Sequence, residues 1–212
     1  MDRKLTVTEI FGEAARLGSA NAGMAIACIF GLTTLNVVLD QVMPGNSSTF
    51  PATLANLGAE YGLLTLVLTG LGLREGNAGF GAFFGINFLA GLGILLGMIL
   101  LIVPGMILGA RWSAANAALL AEGEGINAAL SRSWHMTSAS LWPIIGVQLV
   151  IFVPALVIAF GALFTLDTAM PVVASVVMYL ALFAASIFSW LAGIAIYALL
   201  RPETDELAEV FA

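Results

Sequence analysis

Between Glu75 and Arg111 the chain carries no charged side chain. A helix needs only ~20 consecutive apolar residues to cross the hydrocarbon core of a bilayer, so this run exceeds one crossing. Pro104-Gly105 interrupts it, and a proline inside a helix removes a hydrogen bond and crowds the preceding turn. The run therefore predicts a helical hairpin, with antiparallel neighbouring helices joined by a tight turn near Pro104-Gly105. The remainder of the chain is of the same kind. It has 212 residues, 60% hydrophobic and 9% charged, with mean hydropathy +1.04. Soluble domains carry about 25% charged residues, so lipid must serve as solvent for much of this surface. The apolar runs are continuous, whereas barrel strands alternate in ~10-residue units. The expected fold class is all-α, a polytopic helical membrane protein forming one integral membrane domain over residues 1–212.

Segment by segment, six crossings are expected, at 17–39, 53–73, 81–103, 105–121, 139–164 and 170–200. Interfacial helices are expected at 6–16 and 123–137, with an acidic tail at 201–212. In the first helix Thr6 and Glu9 have capping-box spacing, and Val7, Ile10, Phe11, Ala14 and Leu17 recur at helical spacing. That stripe fits a helix lying on the bilayer or one bound to a partner. Asn21 and Asn36 fall in the first crossing, where amides usually bond a neighbouring helix. Gly81 and Gly85, and Gly93 and Gly97, are small-xxx-small pairs expected to face another helix. Pro143 sits where a helix begins. Pro154 is interior and expected to kink its helix. The span 53–73 is the least regular, because it reaches full length only by including Glu60.

The six-crossing scheme puts Arg3, Lys4, Arg16, Arg74, Arg132 and Arg201 on one side, with Asp40 and Asp167 on the other. Lysine and arginine favour the cytoplasmic side, so both termini are expected there. The first apolar run is too long for a signal-peptide core and follows a polar segment, so the N-terminus is expected to stay attached. The single cysteine, Cys28, excludes an internal disulfide. The net charge of −6 shows no basic stripe of the kind a nucleic-acid binder carries.

Residues 97–142 carry a distinctive string: the Pro104-Gly105 break, Arg111-Trp112, Glu122-Gly123, Ala128 or Ala129, Ser131-Arg132-Ser133-Trp134, and Trp142. In these residues the chain resembles the multi-pass membrane domain of bacterial glycerophosphoryl diester phosphodiesterases and its stand-alone relatives. The resemblance implies a bacterial inner-membrane location. In fused members the phosphodiesterase activity belongs to a separate catalytic domain. The sequence ends at Ala212 without one, so that enzyme activity is not expected here.

Two candidate sites stand out. Arg111 lies within membrane-like sequence, where an ionisable group costs several kcal/mol unless paired or snorkelling. Glu60 falls at a similar depth, about 10 Å from the same surface at ~1.5 Å per residue. A structural ion pair between Glu60 and Arg111 is one expectation. The others are separate snorkelling, bonding to backbone carbonyls, or capture of a lipid phosphate by Arg111. Arg132 and Trp134 form a candidate lipid-headgroup contact, since guanidinium binds phosphate in a fork and tryptophan favours the interface. The alternative is ordinary anchoring of a surface helix. His135 is the only histidine, and no second histidine or thiolate cluster supports a metal site. Ser131, Ser133 and His135 on one helix do not have the geometry of a triad. No catalytic residue, cofactor or metal is expected.

Two function classes follow. The scarcity of charge in the crossings favours a non-enzymatic accessory, assembly or membrane-organising subunit. Its partners would be membrane lipids, a larger membrane complex or further copies of itself. The broken helix and the intramembrane charge favour a small transporter or lipid-handling protein.

Overall fold

A computed structural model describes residues 4–43, 45–164 and 171–201. Arg3, Asp167 and the expected acidic tail from residue 202 onward lie outside these residues. The described chain is helical and contains no strand. Its helices are α1 (Val7–Ala20), α2 (Ala22–Val42), α3 (Thr49–Gly70), α4 (Phe80–Leu100), α5 (Ile102–Arg111), α6 (Ala115–Glu122), α7 (Ile126–Met136), α8 (Leu141–Leu163) and α9 (Pro171–Leu200). Short 3-10 turns at Gly45–Ser48 and Ser138–Ser140 lead into α3 and α8. Four segments are long and apolar enough to cross a membrane: Ala22–Val42, Phe80–Leu100, Ser138–Leu163 and Pro171–Leu200. Of the six expected crossings, the other two are α3 and the return path through α5 and α6. The first has the length but carries Thr53, Asn56, Glu60 and Thr65. The second is divided into two short helices.

α9 is the central post. It packs against α1, α2, α3, α6 and α8. Its half from Ile187 to Tyr197 is deeply buried. α1 uses the expected capping box: Glu9 N–H donates to the Thr6 hydroxyl, and the Thr6 N–H donates to the Glu9 carboxylate. Ile10, Ala14 and Leu17 are buried, but the surface they meet is α8 and α9 rather than lipid. The expected interfacial helix is thus held against the bundle. A break at Asn21 divides α1 from α2, so the first crossing starts at Ala22 rather than residue 17. The amides of Asn21 and Asn36 donate to Leu17 and Leu32 carbonyls of their own helical turns, not to a neighbouring helix as expected.

α4 and α5 form the expected antiparallel hairpin, but its turn lies three residues before the expected Pro104-Gly105 break, which falls inside α5. The chain turns at Leu101, whose extended backbone (φ −161°, ψ 140°) separates the helices. Pro104 then falls in the first turn of α5, where its missing N–H has no intrahelical partner to lose. Close approach decides the glycines. A Cβ on Gly97 would sit 2.9 Å from the Gly105 backbone, and one on Gly93 would sit 2.7 Å from the Trp112 ring. On Gly85 it would meet Ile126 at 2.7 Å, whereas Gly81 has nothing within 4 Å. Three of the four expected interface glycines therefore face another element.

The ends of the bundle differ in chemistry. At one end lie the Leu71–Gly79 loop, Glu122 and Arg201. There Arg201 bonds Glu75, and the Glu75 and Gly76 N–H groups donate to the Ala121 carbonyl at 2.7 and 2.8 Å. At the other end Asp40 accepts from Ser48 at 3.0 Å and from the Tyr179 hydroxyl.

Candidate functional site

The site begins with a broken helix. α5 stops at Arg111 and α6 starts at Ala115, so the residues between them leave backbone groups without helical partners. Such groups are costly away from water. α7 satisfies them. The Ser133 hydroxyl is fully buried, donates to the Arg111 carbonyl at 2.7 Å, and accepts from the Ala114 N–H at 3.3 Å. The Thr137 hydroxyl lies 3.2 Å from the same Arg111 carbonyl and 2.7 Å from the Ser133 carbonyl. The Arg111 guanidinium donates to the Trp134 carbonyl at 3.2 Å and lies 5.0 Å from the centroid of that indole. α6 ends at Gly123 in the left-handed conformation, φ 69°. A Cβ on Gly76 would sit 2.2 Å from the Gly123 nitrogen, so two glycine backbones meet here.

The Ser131-Arg132-Ser133-Trp134 string thus divides into separate structural tasks. Ser133 mends the helix break. Trp134 holds Arg111. Arg132 pairs with Glu122 at 2.7 Å and approaches Glu124 at 3.6 Å. Glu122 also accepts from the Tyr197 hydroxyl at 2.9 Å, tying α6 to α9. Arg132 is thus engaged by carboxylates, and Trp134 by Arg111. His135 turns its Nδ1 toward the Ser131 carbonyl, 2.7 Å away on its own helix. Among the described residues no three His, Cys, Asp or Glu side chains converge.

The expected Glu60–Arg111 ion pair is not formed. The reason lies in which helices touch. α5 packs on α4, α7 and α8, while α3 packs on α6. The residue that meets Glu60 is accordingly Asn116, past the break. Its Nδ2 donates to the Glu60 Oε1 at 2.8 Å and to the Asn87 Oδ1 at 3.1 Å. The Asn87 amide donates to the Phe83 carbonyl of its own helix at 3.0 Å. Glu60 is 8% exposed and has no lysine or arginine within ion-pair distance among the described residues. It lies near the middle of α3, about 15 Å along the axis from either end.

Beside Glu60 is a cavity of about 270 Å³. It is lined by residues of α3, α4, α5, α6, α8 and α9 around the helix break. Its polar lining includes Glu60, Asn87, Asn116 and Gln148, and its aromatic lining is Trp112 and Trp190. Of the polar residues, only Glu60 stands out from the sequence. The available signal for the others was isolated amides in apolar runs, since a buried amide in a membrane helix must find a partner. Nothing in the spacing of Asn87, Asn116 and Gln148 reveals that three helices bring them together.

No family model, curated protein or solved structure matches this chain.

Proposed function

We propose that this chain is a membrane protein that admits a small polar solute into a site inside its helical bundle. In this reading α3 and the broken α5–α6 path also cross, giving six crossings in a bacterial inner membrane with both termini cytoplasmic. The separation of Arg74, Arg132 and Arg201 from Asp40 along the bundle supports that orientation. The observation that carries the function is the cavity around Glu60. A carboxylate inside a membrane bundle is expensive, and such residues mark solute or ion paths. Broken helices beside a polar cavity are a recurrent way to build such paths. Glu60 combines both features, with Asn116 of the interrupted segment as its hydrogen-bond donor.

A second reading is an accessory or assembly subunit in which Glu60 and its amides merely lock α3, α4 and α6 together. The scarcity of charge elsewhere in the crossings favours it.

Water access separates the two readings. Ser189 lines the cavity. With Cys28 replaced by serine, Ser189→Cys should react in native membranes with a small water-soluble methanethiosulfonate. A thiol that stays unlabelled until the protein is denatured would make the cavity a sealed structural void, and the solute reading would fall.

A further inference from the structure

We propose that the cavity selects a small organic ammonium ion, with Glu60 as its counter-charge. This rests on the solute-binding reading above and names the chemical class of the solute.

The hydrogen-bond inventory leads there. A carboxylate is an acceptor only, and a primary amide has two N–H donors. Asn116 directs its Nδ2 at Glu60 and at Asn87, so both its donors serve protein acceptors. The Asn87 Nδ2 is engaged by the Phe83 carbonyl. Glu60 Oε2 and Asn116 Oδ1 receive no hydrogen bond from the described residues. Glu60 Oε2 and Asn116 Oδ1 are thus left as acceptors at the carboxylate end of the cavity, while Gln148, Ser189 and the two indole N–H groups supply donors elsewhere in its lining. An ammonium group brings donors and no acceptor, which is the complement. It also brings the positive charge that the surrounding helices do not supply to Glu60.

The other walls fit the rest of such a molecule. Trp112 and Trp190 line the same cavity, and indole is the side chain with the strongest cation–π attraction. A Cβ on Gly93 would collide with the Trp112 ring at 2.7 Å, so a glycine in α4 lets this tryptophan stand where it does. The volume of about 270 Å³ is just below the ~300–1,000 Å³ typical of drug-sized pockets, which suits a compact amine. A divalent metal ion suits the site poorly. Calcium takes 6–8 oxygen ligands, and among the described residues only one carboxylate lines this cavity.

The test uses purified full-length protein in nanodiscs, with benzylammonium, benzyl alcohol and benzoate as matched probes and calorimetry as readout. Benzylammonium should bind saturably at one per chain, at least tenfold tighter than benzyl alcohol, with no binding of benzoate. Glu60→Gln should weaken benzylammonium at least tenfold and leave benzyl alcohol within about twofold. Trp190→Leu should weaken benzylammonium several-fold. Equal binding of benzylammonium and benzyl alcohol would overturn the ammonium assignment and leave the solute-binding reading standing. Saturable binding of benzoate alone would do the same. If a cavity thiol is sealed from water and none of the three probes binds, both fall. Should Glu60→Gln fail to fold, the comparison of charged and neutral probes on the unaltered protein still decides the matter.

Discussion

α4 and the α5–α6 path cover the same length of the bundle in opposite directions, yet they are built differently. α4 is one uninterrupted helix whose backbone bonds are internal. Its glycines let other elements come close without needing anything from them. The return path is interrupted at 112–114, and its backbone is completed by Ser133 of α7 and by Thr137, which caps that helix. A continuous helix is self-sufficient in lipid. A broken one depends on its neighbours, and in exchange it can place Asn116 and Trp112 where a regular helix would have placed only a wall. That dependence is why a polar helix rich in serine follows directly in sequence.

The comparison can be broken most severely where backbone meets backbone. A Cβ on Gly193 of α9 would sit 2.6 Å from the Ser113 carbonyl oxygen, inside the break. Gly193→Ala should cost about 1–3 kcal/mol or more, as overpacking of a fitted core does. Gly81→Ala in the continuous α4 has open space and should be neutral or stabilising, because glycine lies about 0.8–1.0 kcal/mol below alanine in a helix. Thermal unfolding in detergent of the two variants side by side measures this contrast. Equal losses would mean that the break is no more sensitive than the continuous helix.

A smaller effect is expected from the hydroxyl that mends the break. Ser133→Ala leaves the Ala114 N–H and one acceptor of the Arg111 carbonyl without that partner. Unsatisfied buried groups of this kind cost about 1–3 kcal/mol. Ser131→Ala, on the exposed side of the same helix, should stay within about 0.5 kcal/mol. Hydrogen exchange should sharpen the picture, with faster exchange in Ser133→Ala around 112–116 and unchanged exchange in α4. Unaltered exchange at the break would show that Thr137 alone suffices.

Next comes the tie between α6 and α9. Tyr197→Phe removes the hydroxyl that donates to Glu122 and should cost about 0.5–1.5 kcal/mol, the usual net worth of one hydrogen bond. A chemical-denaturation midpoint would register it. No shift would mean that Arg132 holds Glu122 unaided.

The smallest effect belongs to the surface of α1. Glu13 is hydrogen-bonded to Arg16, which holds its carboxyl below the ordinary value of 4.5. A lowered carboxyl stabilises the fold above its unfolded value, and that contribution is lost as the pH falls through the folded one. Arg16 is exposed and Glu13 only half-buried, so water screens the pair and acidification below pH 4.5 should weaken α1 only slightly. Arg16→Ala should remove that acid dependence without changing stability much at neutral pH. An acid titration of amide exchange in α1, with and without the substitution, checks both statements.

Residue by residue, the helices were largely legible. The expected segments 81–103, 139–164 and 170–200 differ from α4, α8 and α9 by a few residues at their ends, because uninterrupted apolar length is a one-dimensional property. The capping box of Thr6 and Glu9 was legible for the same reason, since both partners lie within one turn. The site was not. Glu60 stands out as a misplaced charge, and counting residues along the helices pairs it with Arg111. Depth can be counted along a chain. Lateral position cannot, and it was the packing of α3 on α6 rather than on α5 that gave Glu60 an amide in place of a guanidinium.

Composition and charge order by themselves determined that this chain is an apolar helical bundle with arginine gathered toward one end. Those features act through the free energy of burying apolar length and of keeping charge in water, which each segment meets separately. Only the tertiary structure decided that 105–121 is two helices, that Ser133 bonds the backbone at the break between them, and that Asn87, Asn116 and Glu60 share a cavity. These depend on which helices touch. In a bundle whose surfaces are all apolar, the choice of neighbours rests on close glycine contacts and a few satisfied polar groups, neither of which has a period in the sequence.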